Sequence, residues 1–206
     1  MTDNLPAFDE LNEIRTTISG EMTEMLARDK RIDRRRCEDI IFELITMGYV
    51  YGIEVAGLDL EEDLPVDAER MRDVAWKRTA GENFSDRIDT HIKAFEESAM
   101  DEAATRKLAE QLSVIAETET HRAINTGEQD GAQEYADAHR KETVFKTWVT
   151  MQDDRVREQH DLLDGATVPL NARFYSWTGD SARFPGDFVS PELNINCRCI
   201  LRFTKR

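Results

Sequence analysis

Apolar residues recur at three- and four-residue intervals through the first two thirds of the chain and at two-residue intervals near its end. Residues 9 to 29 carry Leu11, Ile14, Ile18, Met22, Met25 and Leu26 near helical spacing, which predicts an amphipathic helix. A wider stripe of Cys37, Ile40, Ile41, Leu44, Ile45 and Val50 predicts a second helix with Asp33 as its N-cap. The charged run GLDLEEDLP then predicts a loop, with Pro65 at or just before the next helix start. From Val66 to Asn125 the spacing stays helical, broken at AGENFS, where Gly81 is expected to end one helix and Ser85 to cap the next. Ser85 to Met100 and Asp101 to Asn125 read as one bent helix or two, the second with Leu108, Leu112, Ile115, Ala116 and Ile124 on one side. NTGEQDGAQEYADAHRK reads as a weak helix bracketed by Gly127 and Gly131.

After Lys141 the period changes. KETVFKTWVT alternates Val144, Lys146 and Trp148 against Phe145, Thr147 and Val149, the pattern of a strand. DDRVREQHDLLDG predicts a short helix capped by Asp153 or Asp154 and stopped at Gly165, and NINCRCILRF predicts a closing strand. The expected class is α+β: a mostly helical N-terminal region, then from about residue 141 a small α+β unit with a few antiparallel strands.

Composition narrows the picture. At 206 residues, 40% hydrophobic and 33% charged, the chain belongs with globular proteins rather than disordered or fibrous ones. MTDNLPAFDE lacks the basic and apolar regions of a secretory signal. The apolar run at 40 to 57 contains Glu43 and Glu54 and breaks at Gly48 and Gly52, so no membrane span is expected. Of the net charge of −15, none comes from the end: Lys141 onward holds ten basic and nine acidic residues, against seventeen basic and thirty-three acidic before it. An acidic first part repels nucleic acid at long range, so direct contact is expected to be weak or absent, and KRIDRRR at 30 to 36 reads as a solvated face.

Candidate chemistry concentrates in the last unit. Residues i and i+2 of an extended segment share a face, so Cys197 and Cys199 can aim both sulfurs at one point, a geometry suited to a metal and strained for a disulfide. Two thiolates are half a tetrahedral zinc site, and His160 is the histidine of the same unit. The plainer reading makes Cys197 and Cys199 small buried side chains and His160 a local cap. Asp154 and Arg157 (i, i+3) and Arg157 and Asp161 (i, i+4) would pair along a helix face, with Arg155 beside them. His91, His121 and His139 lie at no ligand spacing and read as structural. Glu117 and Glu119 face different directions on a helix and do not form an acid-base pair. No phosphate loop, serine elbow or His-Glu-x-x-His motif is present.

Taken in order, Thr150, Asp154 with Arg155 and Arg157, His160, Leu163 to Gly165, Val168-Pro169, Phe174, FPGD and Asn196-Cys197-Arg198-Cys199 resemble the C-terminal domain of the phage Mu F-like head morphogenesis family, also called minor capsid or minor head proteins. Upstream, the family's Arg-Thr-Glu at a helix end is matched by Thr118 and Glu119, with Glu117 in place of the arginine. The resemblance divides the chain into a variable helical region, 1–100, and a Mu F-like domain, 101–206. It implies a phage or prophage protein acting in head assembly, inside the capsid near the portal, with portal, capsid or scaffold proteins as partners and a role in DNA packaging or ejection. It also implies a virion interior location, with host cytoplasm during assembly, and no enzymatic activity. The shared motif set implies that His160, Cys197 and Cys199 meet, as zinc ligands or as a buried network, supported by Asp154, Arg155, Arg157, Asn196 and Glu119. The alternative is a zinc-dependent hydrolase or toxin-related domain in which these ligands activate a water with Asp154 as base.

Overall fold

Aspartate side chains cap the starts of three long helices in the computed structural model, which describes residues 7–29, 31–80 and 84–206, with side chains from residue 16 onward. Five helices come first: α1 (Ala7–Asp29), α2 (Arg34–Leu60), α3 (Ala68–Thr79), α4 (Phe84–Glu96) and α5 (Glu102–Ala138). Then follow β1 (Val144–Val149), α6 (Glu158–Asp161), β2 (Thr167–Pro169), β3 (Phe174–Tyr175), β4 (Ser181–Ala182), α7 (Pro191–Asn194) and β5 (Ile200–Lys205). The class is α+β. Asp33 caps α2 by accepting from the Arg35 and Arg36 N–H groups, as expected. Met100, at φ +49°, separates α4 from α5, and Asp101 caps the latter, so these are two helices.

Several boundaries differ from expectation for identifiable reasons. The stripe of α2 continues through Ile53, Ala56 and Leu60, so the helix runs through the expected GLDL loop and stops at Glu61, which adopts left-handed backbone and donates to the Gly57 and Leu58 carbonyls. Asp67, two residues past Pro65, caps α3. Ser85 lies inside α4, its hydroxyl donating to Glu38 at 2.7 Å instead of capping. The helix end expected at Gly81 lies outside the described residues. Leu11 and Ile14 sit on α1, their side chains also outside the described set. Two arginines of the basic run are paired locally, Arg34 with Glu38 and Asp89 and Arg36 with Glu21, while Arg31 and Arg35 are exposed.

The largest departure is in α5, which passes unbroken through both glycines expected to bracket a weak helix. Gly127 and Gly131 share one face with i, i+4 spacing, as do Gly48 and Gly52 on α2, and the two faces meet. A Cβ on Gly52 would stand 2.0 Å from the Ile124 carbonyl oxygen, and one on Gly127 2.1 Å from that of Tyr49. The glycines let the helix backbones touch. Ile41, Ile45, Leu112 and Ala116 complete the surrounding core. By length and hydropathy α2 meets the requirement for a bilayer-crossing helix, and half of that window is buried inside the protein.

β1 forms the centre of an antiparallel sheet of order β2-β1-β5, with Trp148 opposite Leu201 and Lys146 opposite Val168 and Phe203. β3 and β4 make a separate small hairpin. The alternation in β1 holds: Val144, Lys146 and Trp148 point inward. Lys146 is buried, its ammonium donating to Gln129 Oε1 at 2.9 Å over the Phe174 ring, and burial pushes it down to about 8. The closing strand begins at Ile200, later than expected, because Pro191–Asn194 winds into α7 and Asn196 turns with φ +56°. Helix side chains secure β5: Asp59 accepts from the Phe203 N–H and the Arg202 guanidinium, and Glu128 from the Leu201 N–H.

Glu128 makes stability depend on pH. Burial pushes its carboxyl up from an ordinary 4.5 to about 8, against the Leu201 N–H bond and with help from Asp59. Between those values the folded protein holds a proton that the unfolded chain has released. Its contribution is therefore full below about 4.5 and is lost as pH rises through about 8. Denaturant titrations at pH 5.5 and 8 should show a loss of a few kcal/mol in the native protein that is largely absent in Glu128→Gln. Parallel pH profiles for the two proteins would exclude this role.

Candidate metal centre

The chain leaves β1 at Trp148 and returns to it through Gly165, whose N–H donates to the Trp148 carbonyl while the Trp148 N–H donates to that of Ala166. Asp164 closes this excursion by accepting from the Thr150 N–H and hydroxyl at 2.7 and 3.0 Å. Within it, α6 carries His160 under the Trp148 indole, ring centroids 5.6 Å apart in an edge-on contact. The opposing wall is the turn after α7. The Asn194 side chain brackets Phe188 by bonding both its N–H and its carbonyl, and the Phe188 ring stacks on His160. Arg157 donates to the Ile195 carbonyl, and the Asn196 N–H reaches Thr118 Oγ1 on α5. Left-handed backbone suits Asn196, whose short polar side chain tolerates that region. The turn directs Cys197 and Cys199 inward.

His160 Nδ1 lies 3.6 Å from Cys197 Sγ and 3.4 Å from Cys199 Sγ, and all three donor atoms fall within 4.8 Å of one another. Tetrahedral zinc, with bonds of about 2.3 Å to sulfur and 2.0–2.1 Å to nitrogen, requires nitrogen-sulfur separations of about 3.6 Å. The donor set and its spacing fit that ion. The three side chains are buried, and the space beside them is about 10 Å³, room for an ion or a water but not for a substrate. Cys199 hydrogen bonding holds the Cys197 thiol well below its ordinary value, with His160 acting in the same direction against burial; the same bond, with burial, pushes Cys199 up. Of the pair, Cys197 is therefore the thiol that gives up its proton more readily. On α5, His121 Nε2 and Asn125 Nδ2 both donate to the Cys199 carbonyl, at 2.7 and 3.3 Å. Arg198, between the cysteines, turns outward to Asp153 in a bidentate pair at 2.7 and 2.8 Å.

The family model described as "Phage Mu protein F like protein" matches residues 79–202, from the end of α3 to β5, more than half of the chain and all three donors. The chain belongs to the phage Mu F-like family. It is thereby placed among phage head morphogenesis proteins and associated with the virion. Comparison with curated proteins and with solved structures gives no match.

Within this Mu F-like fold the expected supporting residues fall in several places. Arg157 and Asn196 shape the turn before Cys197. Asp154 is exposed and does not reach the cluster, and Arg155 is exposed at its rim. The helix expected over this stretch is confined to Glu158–Asp161, with Arg157 as N-cap residue, so the i, i+3 geometry for Asp154 and Arg157 does not arise; Arg157 and Asp161 do share a turn, the Asp161 N–H donating to the Arg157 carbonyl, while the Arg157 guanidinium donates to the Ile195 carbonyl. Asp153 is the carboxylate that acts, pairing with Arg198 and accepting from the Arg155 N–H. Glu119 meets three arginines at 3.2–3.9 Å, outside the cysteine cluster, while its neighbour Thr118 touches Asn196. His121 reads as structural and is so, bonding the Cys199 carbonyl, though its place at the cluster is unexpected; the other residues that sequence reasoning missed are Trp148, Phe188, Asn194 and Asn125, of which only Trp148 had a signal, its inward place in the alternation of β1.

Proposed function

We propose that this Mu F-like protein is a minor head protein carried inside the virion near the portal, where it acts in head assembly and in DNA packaging or ejection. The observation that carries the reading is the family match from α3 to β5. In it the long α5 and the sheet unit form the shared module, and α1 and α2 supply an acidic helical layer for docking on portal, capsid or scaffold proteins. His160, Cys197 and Cys199 hold a zinc ion that fastens α6 and the turn after α7 to β5. Such an ion would neutralise thiolate charge and crosslink two chain segments, α6 and the Cys197–Cys199 stretch that leads into β5, and the residues here orient the donors and exclude water. Enclosure supports a fastening role over a catalytic one, since a substrate needs an open position.

The test uses phage heads purified with and without this protein. Peptides of the chain should be found in finished heads at few copies, the purified protein should co-sediment with portal rings, and heads lacking it should be defective in DNA content or infectivity. Normal, infectious heads in its absence, together with no co-sedimentation, would overturn the proposal.

A further inference from the structure

Away from the cysteine cluster, α3, α4, the middle of α5 and the turn at Phe184–Asp187 border a cleft of about 480 Å³. Its charges are not balanced evenly. At the rim, Arg183 is matched by Asp187, Lys77 by Asp73 and Arg70 by Asp130. At its floor three guanidinium groups share one carboxylate. Arg87 lies 3.2 Å from Glu119 Oε1, and Arg122 and Arg78 lie 3.5 and 3.9 Å from Oε2. Among the described residues, this triad carries two positive charges in excess, within a chain whose net charge is −15.

The guanidinium groups are also short of acceptors. Two of the three contacts to Glu119 are at or beyond the length of an ordinary hydrogen bond. Arg78 finds Thr126 Oγ1 and the Arg122 carbonyl, yet its Nε and that of Arg122 are buried without a partner among the described residues. Burial, and then the charge of Arg122, pull Arg78 down to about 10, which expresses the cost of holding like charges together out of water. Gly186, at φ +91°, packs so closely on the Arg122 stem that a Cβ there would stand 2.6 Å from Arg122 Cγ. The FPGD turn thereby fixes this arginine in the cleft wall.

We propose that this cleft binds a phosphate-bearing anion through Arg78, Arg87 and Arg122. Planar guanidinium forks match phosphate oxygens pairwise, and such an anion would supply both the missing acceptors and the missing negative charge. The volume is that of a small-ligand site, and the acidic surface of the chain repels long polyanions from a distance. The ligand is accordingly a free phosphate compound or the phosphate of a nucleic-acid strand that reaches in.

Calorimetric titration of the full-length protein with pyrophosphate at low salt tests this. Binding is expected in the native protein and should weaken with added chloride. Arg87→Gln, at the more exposed side of the triad, should weaken it at least tenfold, and Arg87→Lys should fall between. Glu119→Gln should be less stable than native in plain buffer and recover with pyrophosphate by a larger melting shift than the native protein shows. A single-stranded oligonucleotide that displaces pyrophosphate would assign the phosphate to nucleic acid; failure to displace it would assign a free anion. No binding of either probe at millimolar concentration, or binding undiminished in Arg87→Gln, would overturn the proposal.

Discussion

Gly52→Ala and Gly127→Ala should each destabilise the protein by about 3 kcal/mol or more, while Gly20→Ala should stabilise it by about 0.5–1 kcal/mol. The same added methyl group has opposite signs because of what it meets. In a helix interior alanine is favoured over glycine by its lower backbone entropy cost, and Gly20 lies on α1 with nothing within 4 Å of the new Cβ. At Gly52 and Gly127 the new atom meets a backbone carbonyl at 2.0 and 2.1 Å. A carbonyl held in a helix cannot rotate away as a side chain would. The helices must separate by about 1 Å, and a gap of that size removes a quarter to a half of each dispersion contact along the crossing. Gly131→Ala is the graded control, since the new Cβ would stand 3.3 Å from the Ala56 methyl group, the Ile53 Cα and Leu64 Cδ1 alike, a tight contact but no overlap. Urea unfolding of the four variants provides the measurement. A Gly52→Ala protein within 1 kcal/mol of native would mean that the two backbones do not approach so closely.

Those glycines also show what the sequence revealed and what it did not. Period marked the helices and the strand β1, because apolar spacing is local and survives any tertiary arrangement. Glycine has two meanings that one sequence cannot separate: a break in backbone order, or space for a neighbouring backbone. Gly48, Gly52, Gly127 and Gly131 read as breaks, and the crossing of α2 and α5 gives them the second meaning. The cysteine pair was legible because two residues one apart in extended chain must share a face whatever surrounds them. His160 followed as the histidine of the same unit. By contrast, His121 and Asn125 reach Cys199 across more than seventy residues, and nothing in their spacing announces it. The choice between Asp153 and Asp154 depended on whether the segment was helical, and the helix begins only at Glu158.

Replacing any one of the three donors should remove bound zinc and lower the melting temperature by about 10 °C or more. Structural zinc contributes about 10–16 kcal/mol to small zinc peptides, which have little other core. Here α2 and α5 hold a core of their own, so only part of that free energy reaches global stability; a loss of several kcal/mol in a chain of this size corresponds to a shift of that order. Elemental analysis of the native protein should give one zinc per chain, and Cys197→Ser, Cys199→Ser and His160→Ala should give none. A chelator should lower the melting temperature of the native protein and leave that of Cys199→Ser unchanged. If the native protein holds no zinc and added zinc shifts nothing, the cluster is a hydrogen-bonded pair of thiols against an imidazole, and Cys197→Ser should then cost only about 1 kcal/mol. Hydrogen exchange separates fastening from general damage. α6 has four residues and the turn after α7 lies outside the sheet ladder, so both rely on the cluster together with a few single bonds, from Arg157 to the Ile195 carbonyl, from the Asn196 N–H to Thr118 and from His121 to the Cys199 carbonyl. Loss of the ion should raise exchange across residues 150–200 while the amides at the crossing of α2 and α5 keep their protection, because that contact does not pass through the donors.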